Sequence, residues 1–317
     1  MKLYIGVDLG GTNIGAGVVD EKGNIFIKDE VPTGATRPYK DIIADMAGLI
    51  ESILKQGGYK ISDVESIGIG SPGCIDKDQG KVVFANNLNW RHVPVREELQ
   101  KHIDLPVYIE NDANVAGLAE AISGACKGVE NSVTITLGTG VGSGIIIGGR
   151  PYSGSHGVGA ELGHMIVKVG GILCTCGNRG CFERYASATA LIREGKEAAK
   201  ANPDSLIGKS VDGDLDRIDA KVVVDAAKAG DKTALEVFDN YIYYLTMGIV
   251  TIINTFDPSI IAIGGGVSRA GDFLLDALKK KVEEHVFYKD MPYADIRLSE
   301  LGNDAGIVGA AMLGRLK

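Results

Sequence analysis

The chain carries the same short element twice: an apolar, β-branched run that halts at a glycine–threonine turn and resumes as a second apolar run. The first copy reads Ile5-Gly6-Val7-Asp8-Leu9-Gly10-Gly11-Thr12 and continues through Gly17-Val18-Val19-Asp20. The second reads Thr134-Ile135-Thr136-Leu137-Gly138-Thr139-Gly140 and continues through Gly144-Ile145-Ile146-Ile147. Both are hairpin patterns. Glycine at such a turn lets backbone N–H groups come close to an anion, and threonine hydroxyls add donors. Two like halves of this kind predict a duplicated α/β fold whose turns face each other across a cleft and hold a triphosphate from both sides.

The flanking pattern supports the duplication. Strands are predicted at 3–9, 14–19 and 25–31, with a turn at Glu21-Lys22-Gly23-Asn24. Apolar residues at helical spacing over 39–56 stop at Gly57-Gly58 and predict a helix. A buried strand at 64–70, a Pro72-Gly73 turn, a helix near 94–102, a strand at 106–110 and a helix at 113–126 follow. The βββαβα order then restarts at Ser132. Further helices are expected at 187–201, 220–229, 231–256, 270–287 and 304–316, with a strand at 259–263. The last helix is rich in Ala and Gly, which suits close packing. Residues 208–217, rich in Asp and Gly, read as a surface loop. The boundary is placed after Asp112, giving a smaller domain of 1–112 plus about 304–317 and a larger one of 113–303.

Other nucleotide motifs fit poorly. Gly208-Lys209-Ser210 resembles the end of a P-loop, but Pro203 stands where the leading glycine is required. Gly138-x-Gly140-x-x-Ser143 lacks the third glycine of a dinucleotide fingerprint and runs into a strand. A net charge of −8 argues against nucleic acid as the main partner. No apolar run reaches the roughly 18 residues of a membrane span, and no signal-like segment precedes the first strand, so a cytoplasmic protein is expected.

Of five cysteines, three crowd into Cys174-Thr175-Cys176-Gly177-Asn178-Arg179-Gly180-Cys181, just after Gly159-Ala160-Glu161-Leu162-Gly163-His164. A secreted disulfide framework would spread and pair its cysteines. His164, Cys174, Cys176 and Cys181 instead supply the four ligands that close a tetrahedral, structural Zn²⁺ site. Cys74 and Cys126 read as ordinary core residues. Two acids also stand out. Asp8 sits inside an apolar strand, either capping its own turn or facing Mg²⁺ through water. Asp112, in Glu110-Asn111-Asp112-Ala113-Asn114, falls where a strand gives way to a helix, either as a helix cap or as a carboxylate near an attacking hydroxyl. A helix N-terminus would keep it ionised. Asn111 beside it completes a donor–acceptor pair suited to a sugar diol. Trp90 is either a stacking platform or plain packing.

These motifs together resemble the actin-like sugar kinases, with a ribonuclease H-like core, and within them the ROK family (repressors, open reading frames, kinases) and its bacterial glucokinases. The resemblance runs from Ile5 to the Gly306-Ile307-Val308-Gly309-Ala310-Ala311 segment. It implies that Asp8, Gly10, Gly11, Thr12, Thr139 and Gly140 hold Mg²⁺·ATP phosphates and that Gly265 and Gly266 pack against adenosine. It further implies that Asp112 is the catalytic base, that Asn111, Glu161, His164 and Glu183 contact sugar hydroxyls, and that Gly73 and Asn86 lie near the sugar. One departure is Asn13, where the family often has lysine. The implied activity is ATP-dependent phosphorylation of D-glucose at its 6-hydroxyl by a homo-oligomer, dimer or tetramer, with no membrane partner. A kinase for N-acetylmannosamine, N-acetylglucosamine, fructose or allose is the nearest alternative. A sugar-responsive ROK regulator would need a DNA-binding helix-turn-helix ahead of the first strand, and an actin-like filament or chaperone ATPase has no use for the His–Cys₃ loop.

Overall fold

The computed structural model describes residues 2–316. Strands β1 (Leu3–Leu9), β2 (Asn13–Asp20) and β3 (Ile25–Pro32) form an antiparallel meander, followed by helix α1 (Tyr39–Gly57). β4 (Val64–Ser71) pairs parallel to β1. A small antiparallel sheet of β5 (Cys74–Asp76), β6 (Lys81–Ala85) and β7 (Trp90–Val93) comes next. Helix α2 (Val95–Gln100) then leads to β8 (Val107–Asn111) and α3 (Asp112–Ser123).

A second round begins with β9 (Ser132–Leu137), β10 (Val141–Ile147) and β11 (Arg150–Pro151). Helices α4 (Glu183–Ala186), α5 (Ala188–Ala201), α6 (Leu206–Lys209), α7 (Ala220–Lys228) and α8 (Lys232–Phe256) precede β12 (Ile260–Gly264). α9 (Asp272–His285), β13 (Asp295–Leu298) and α10 (Ala305–Met312) complete the chain. The two large sheets have orders β3-β2-β1-β4-β8 and β11-β10-β9-β12-β13, the same topology strand for strand. The expected duplication is therefore present, with the third strand of the second copy cut to two residues.

Period-two alternation explains why β1 reads as almost wholly apolar. Its odd residues Leu3, Ile5, Val7 and Leu9 join the core formed with Ile42, Ile43, Met46, Ile50 and Ile53 of α1. Its even residues turn to α10: Tyr4 shares a cluster with Ile307 and Met312, and Gly6 lies against the Ile307 carbonyl. α10 packs by its backbone, as its Ala/Gly content suggests. A Cβ on Gly68 would stand 1.7 Å from Ala310 O, and one on Gly309 1.7 Å from Val115 O in α3. Neither oxygen can swing aside. Gly68→Ala is expected to destabilise the protein by about 3 kcal/mol, the upper end of overpacking penalties. The check is a chemical denaturation curve, in which an unchanged midpoint would contradict this packing.

A buried carboxylate secures the same region. Glu120, 1% exposed, accepts from Ala125 N at 2.8 Å, Leu301 N at 3.0 Å and Glu300 N at 3.1 Å. It joins the end of α3 to the segment that enters α10.

The chain forms two compact units, residues 1–134 with 144–160 and 300–317, and residues 135–143 with 161–299. The expected join after Asp112 differs from this division, because α3 packs on α10 and stays with the first unit. Residues 208–217 also depart from a plain surface loop: Leu206–Lys209 is helical, and Ile207, Gly208 and Val211 are buried. Trp90 is packing: it is 3% exposed and meets Tyr39 edge-on, with ring centroids 6.5 Å apart. Cys126 is buried as expected, whereas Cys74 is only half-buried on its short strand. Among the described residues no helix is long and apolar enough to cross a membrane.

Candidate active site

The turn after β1 is tied so that its carbonyls are used while the amides of Gly11 and Thr12 are left free of protein acceptors among the described residues. Gly10 N donates to Asn13 O at 2.9 Å, which closes the turn. Buried Thr33, at the end of β3, takes the carbonyls: its Oγ1 donates to Gly10 O at 2.7 Å and its N to Thr12 O at 2.7 Å. Among the described residues, the Gly11 and Thr12 amides reach no protein acceptor. Outward amides at a glycine turn are what an anion requires.

The turn after β9 repeats the device with other residues. Gly138 N donates to Gly140 O at 3.0 Å, Ala188 N to Gly138 O at 2.8 Å, and Thr189 Oγ1 to Thr139 O at 2.7 Å. The Thr139 and Gly140 amides again have no acceptor among the described residues. Glu183 flanks this turn, its Oε2 accepting from Val141 N at 3.1 Å. A Cβ on Gly140 would come within 2.2 Å of that oxygen. Gly265, with φ of +86°, lies against the Leu137 backbone, where a Cβ would meet Leu137 N and O at 2.6 Å, while nothing crowds Gly266.

At the junction of β8 and α3, capping falls to Asn111 rather than Asp112. Asn111 Oδ1 accepts from Ala113 N at 2.9 Å and Asn114 N at 3.3 Å, while its Nδ2 donates to Gly73 O at 3.0 Å. Buried Glu110 pins the same turn, accepting from Asn111 N at 2.9 Å and Asn114 Nδ2 at 3.1 Å. Asp112 is thereby released from the capping task and accepts from the adjacent Ala113 N at 2.8 Å. Its surface is open to solvent, yet the mass of protein around it raises its pKa, outweighing the Ala113 amide. Burial thus works against the helix end that was expected to keep it ionised.

Asp8 sits near Asp112. Burial, and secondarily the charge of Asp112, pushes the Asp8 carboxyl up to about 6. No turn amide donates to it, so it does not cap its own turn. Gly306 of α10 gives it room, since a Cβ there would stand 2.3 Å from Asp8 Oδ2. Asn86 is exposed on the short turn Asn86–Leu88, and the neighbouring Asn87 Cβ would lie 3.4 Å from a Cβ on Gly11. Gly10, Gly11, Thr12, Gly73, Asn86, Asn111 and Asp112 thus belong to the first unit. Thr139, Gly140, Glu161, His164, Glu183, Gly265 and Gly266 belong to the second.

In the second unit, His164, Cys174, Cys176 and Cys181 gather their ligand atoms within 4.8 Å of one another. Cys176 Sγ and Cys181 Sγ are 3.6 Å apart, and Cys174 Sγ and His164 Nδ1 are 3.7 Å apart. Bonds of about 2.3 Å to sulfur and about 2.0 Å to nitrogen give tetrahedral edges of roughly 3.5–3.8 Å, so the spacing fits Zn²⁺; a disulfide, at about 2.05 Å, it does not fit. Burial pushes the Cys181 thiol up to about 12, and the backbone N–H of Asn178 holds Cys176 below its usual range. The loop folds back through Gly180, whose φ is +86° and where a Cβ would strike Lys168 O at 1.7 Å. Phe182, fully buried, then plugs against Gly248 of α8. Glu161 opens the one-turn helix Leu162–His164, its carbonyl accepting from His164 N at 3.0 Å.

Thr33, Thr189 and Glu120 escape sequence reading: each is a single polar residue outside any local motif, and its partner lies on the backbone. Glu110 stands in the Glu110-Asn111-Asp112-Ala113-Asn114 motif, but its task of pinning the turn is not signalled there.

This site and fold agree with the likeness to known proteins. The chain matches the ROK family over residues 4–316 and belongs to that family. It is 40% identical over 318 residues to a glucokinase of Streptomyces coelicolor, covering 99% of this chain and 98% of that one. A glucokinase of Thermotoga maritima is 41% identical over 313 residues, covering 98% and 96%. Among solved structures, a ROK family glucokinase from Streptomyces griseus in complex with glucose and AMPPNP has a TM-score of 0.83 at 39% identity, covering 99% of this chain and 100% of that chain. The fold is accordingly the actin-like ATPase fold of the ROK sugar kinases.

Proposed function

We propose that this protein is an ATP-dependent glucokinase that phosphorylates D-glucose at the 6-hydroxyl, with Asp112 as general base. The observation that carries the reading is the release of Asp112: Asn111 caps α3, leaving a carboxylate of raised pKa at the first helical position. The full-length likeness to glucokinases supports glucose over other hexoses. The amides of Gly11, Thr12, Thr139 and Gly140 hold the phosphates by donating to oxygens whose charge grows in a loose phosphoryl-transfer transition state. Asp112 takes the proton from the attacking hydroxyl as the O–P bond forms and ADP leaves. Asn111 keeps one amide hydrogen beyond its bond to Gly73 and offers it to the sugar. Glu161 and Glu183 accept from vicinal hydroxyls, and His164 adds a contact through Nε2 while its Nδ1 faces Cys174. Asp8, a carboxylate with no hydrogen-bond donor among the described residues, would hold Mg²⁺, which when bound neutralises phosphate charge. His164 and the three cysteines would hold a structural Zn²⁺ that fixes the loop presenting these acids.

The test is a coupled assay of the purified protein with glucose, N-acetylmannosamine, N-acetylglucosamine, fructose and allose, and with ATP, ADP and polyphosphate. Glucose with ATP is expected to give the highest kcat/KM; a larger value for an N-acetylhexosamine would reassign the substrate. The pH profile provides a second check. Asp8 and Asp112 act ionised, and raised pKa values keep them protonated to higher pH than ordinary aspartates at about 4. Activity should therefore fall as the pH drops through about 6. A profile flat down to pH 5 would contradict these assignments.

A further inference from the structure

The loop that carries the metal ligands runs on without a break into residues that grip the second phosphate turn. From Cys181 the chain passes Glu183, which accepts from Val141 N at 3.1 Å, then Ala188, which donates to Gly138 O at 2.8 Å, then Thr189, which donates to Thr139 O at 2.7 Å. One short segment thus provides three hydrogen bonds to the turn and its first following residue. Two of them occupy carbonyl oxygens of the turn, whose partial charge has the same sign as a phosphate's. Phe182, buried against Gly248, and Ser187 Oγ, which accepts from Ala190 N at 3.1 Å, hold that segment at both ends.

We infer that Thr189 is a positioning residue for the nucleotide: its hydroxyl holds the Thr139 carbonyl back and so aims the free Thr139 and Gly140 amides at phosphate. The inference rests on reading residues 138–140 as a phosphate turn. It makes the metal-bearing loop a support for nucleotide binding as well as for sugar binding. Thr189 is exposed and its side chain serves no core, so its hydroxyl can be removed without opening a cavity.

The experiment compares Thr189→Val, which keeps the shape and loses the hydroxyl, with Thr189→Ser, which keeps the hydroxyl. Calorimetric titration of the metal-loaded protein with a non-hydrolysable ATP analogue is expected to show Kd weakened about fivefold in Thr189→Val, the worth of one hydrogen bond. Thr189→Ser should restore wild-type affinity, and KM for glucose and the unfolding midpoint should stay put in both. An unchanged Kd in Thr189→Val, or an equal rise in Thr189→Ser, would overturn the inference. Wild-type protein that binds no analogue would overturn the phosphate-turn reading itself.

Discussion

Asp112→Asn is expected to lower kcat by about 10²–10⁴-fold, the usual share of a positioned proton acceptor, while KM for glucose stays within a few-fold. The change is isosteric, and the helix it begins is capped by Asn111, so α3 should form as before. The amide can still occupy the pocket but cannot take a proton from the attacking hydroxyl. Stability supplies an independent readout. A carboxyl whose pKa is higher folded than unfolded binds its proton more tightly in the native state, so it adds stability as pH falls and withdraws it as pH rises. At neutral pH the uncharged amide should therefore leave the unfolding midpoint equal or raised. Steady-state kinetics and a thermal melt on one preparation decide the matter. Near-normal turnover would remove Asp112 from the chemistry, and a lowered midpoint would assign it a structural task instead.

Loss of the proposed metal centre should produce the second large effect. Cys181 is fully buried, and its loop is anchored by Phe182 beside it. Cys181→Ser, or stripping by a strong chelator, is expected to cost about 3–5 kcal/mol, or roughly 10 °C in the unfolding midpoint. With Glu161, His164 and Glu183 proposed as the sugar contacts, glucose affinity should fall at least tenfold as they lose the frame that orients them. Elemental analysis should find one zinc per chain in the untreated protein. Metal-free protein that melts and binds glucose like the untreated form would defeat the structural-zinc reading.

Features with a local chemical signature were legible in the sequence. The repeated hairpins, the long apolar helices and the His–Cys₃ grouping each declare themselves within a few residues, and each stands where it was expected. The three short strands β5, β6 and β7 did not, because alternation over three to five residues cannot be told from a loop. Capping at α3 was weighed for Asp112 alone; Asn is as good a cap as Asp, and it is Asn111 Oδ1 that takes the Ala113 and Asn114 amides. The upward shift of Asp112 was not legible because burial is a property of the assembled fold. Glu120 was invisible because its partners are backbone amides at Ala125, Glu300 and Leu301, which carry no residue signature.

The seat of α10 bears on how this chain comes off the ribosome. Synthesis runs from the amino end, and domains generally fold as they emerge. Here the wall facing Gly6 and Gly68 is made by α10, which is synthesised after both large sheets. That part of the earliest-made sheet must wait for its cover until residues 305–312 have been translated. A nascent chain stalled short of residue 305 should therefore engage chaperones that a released one does not.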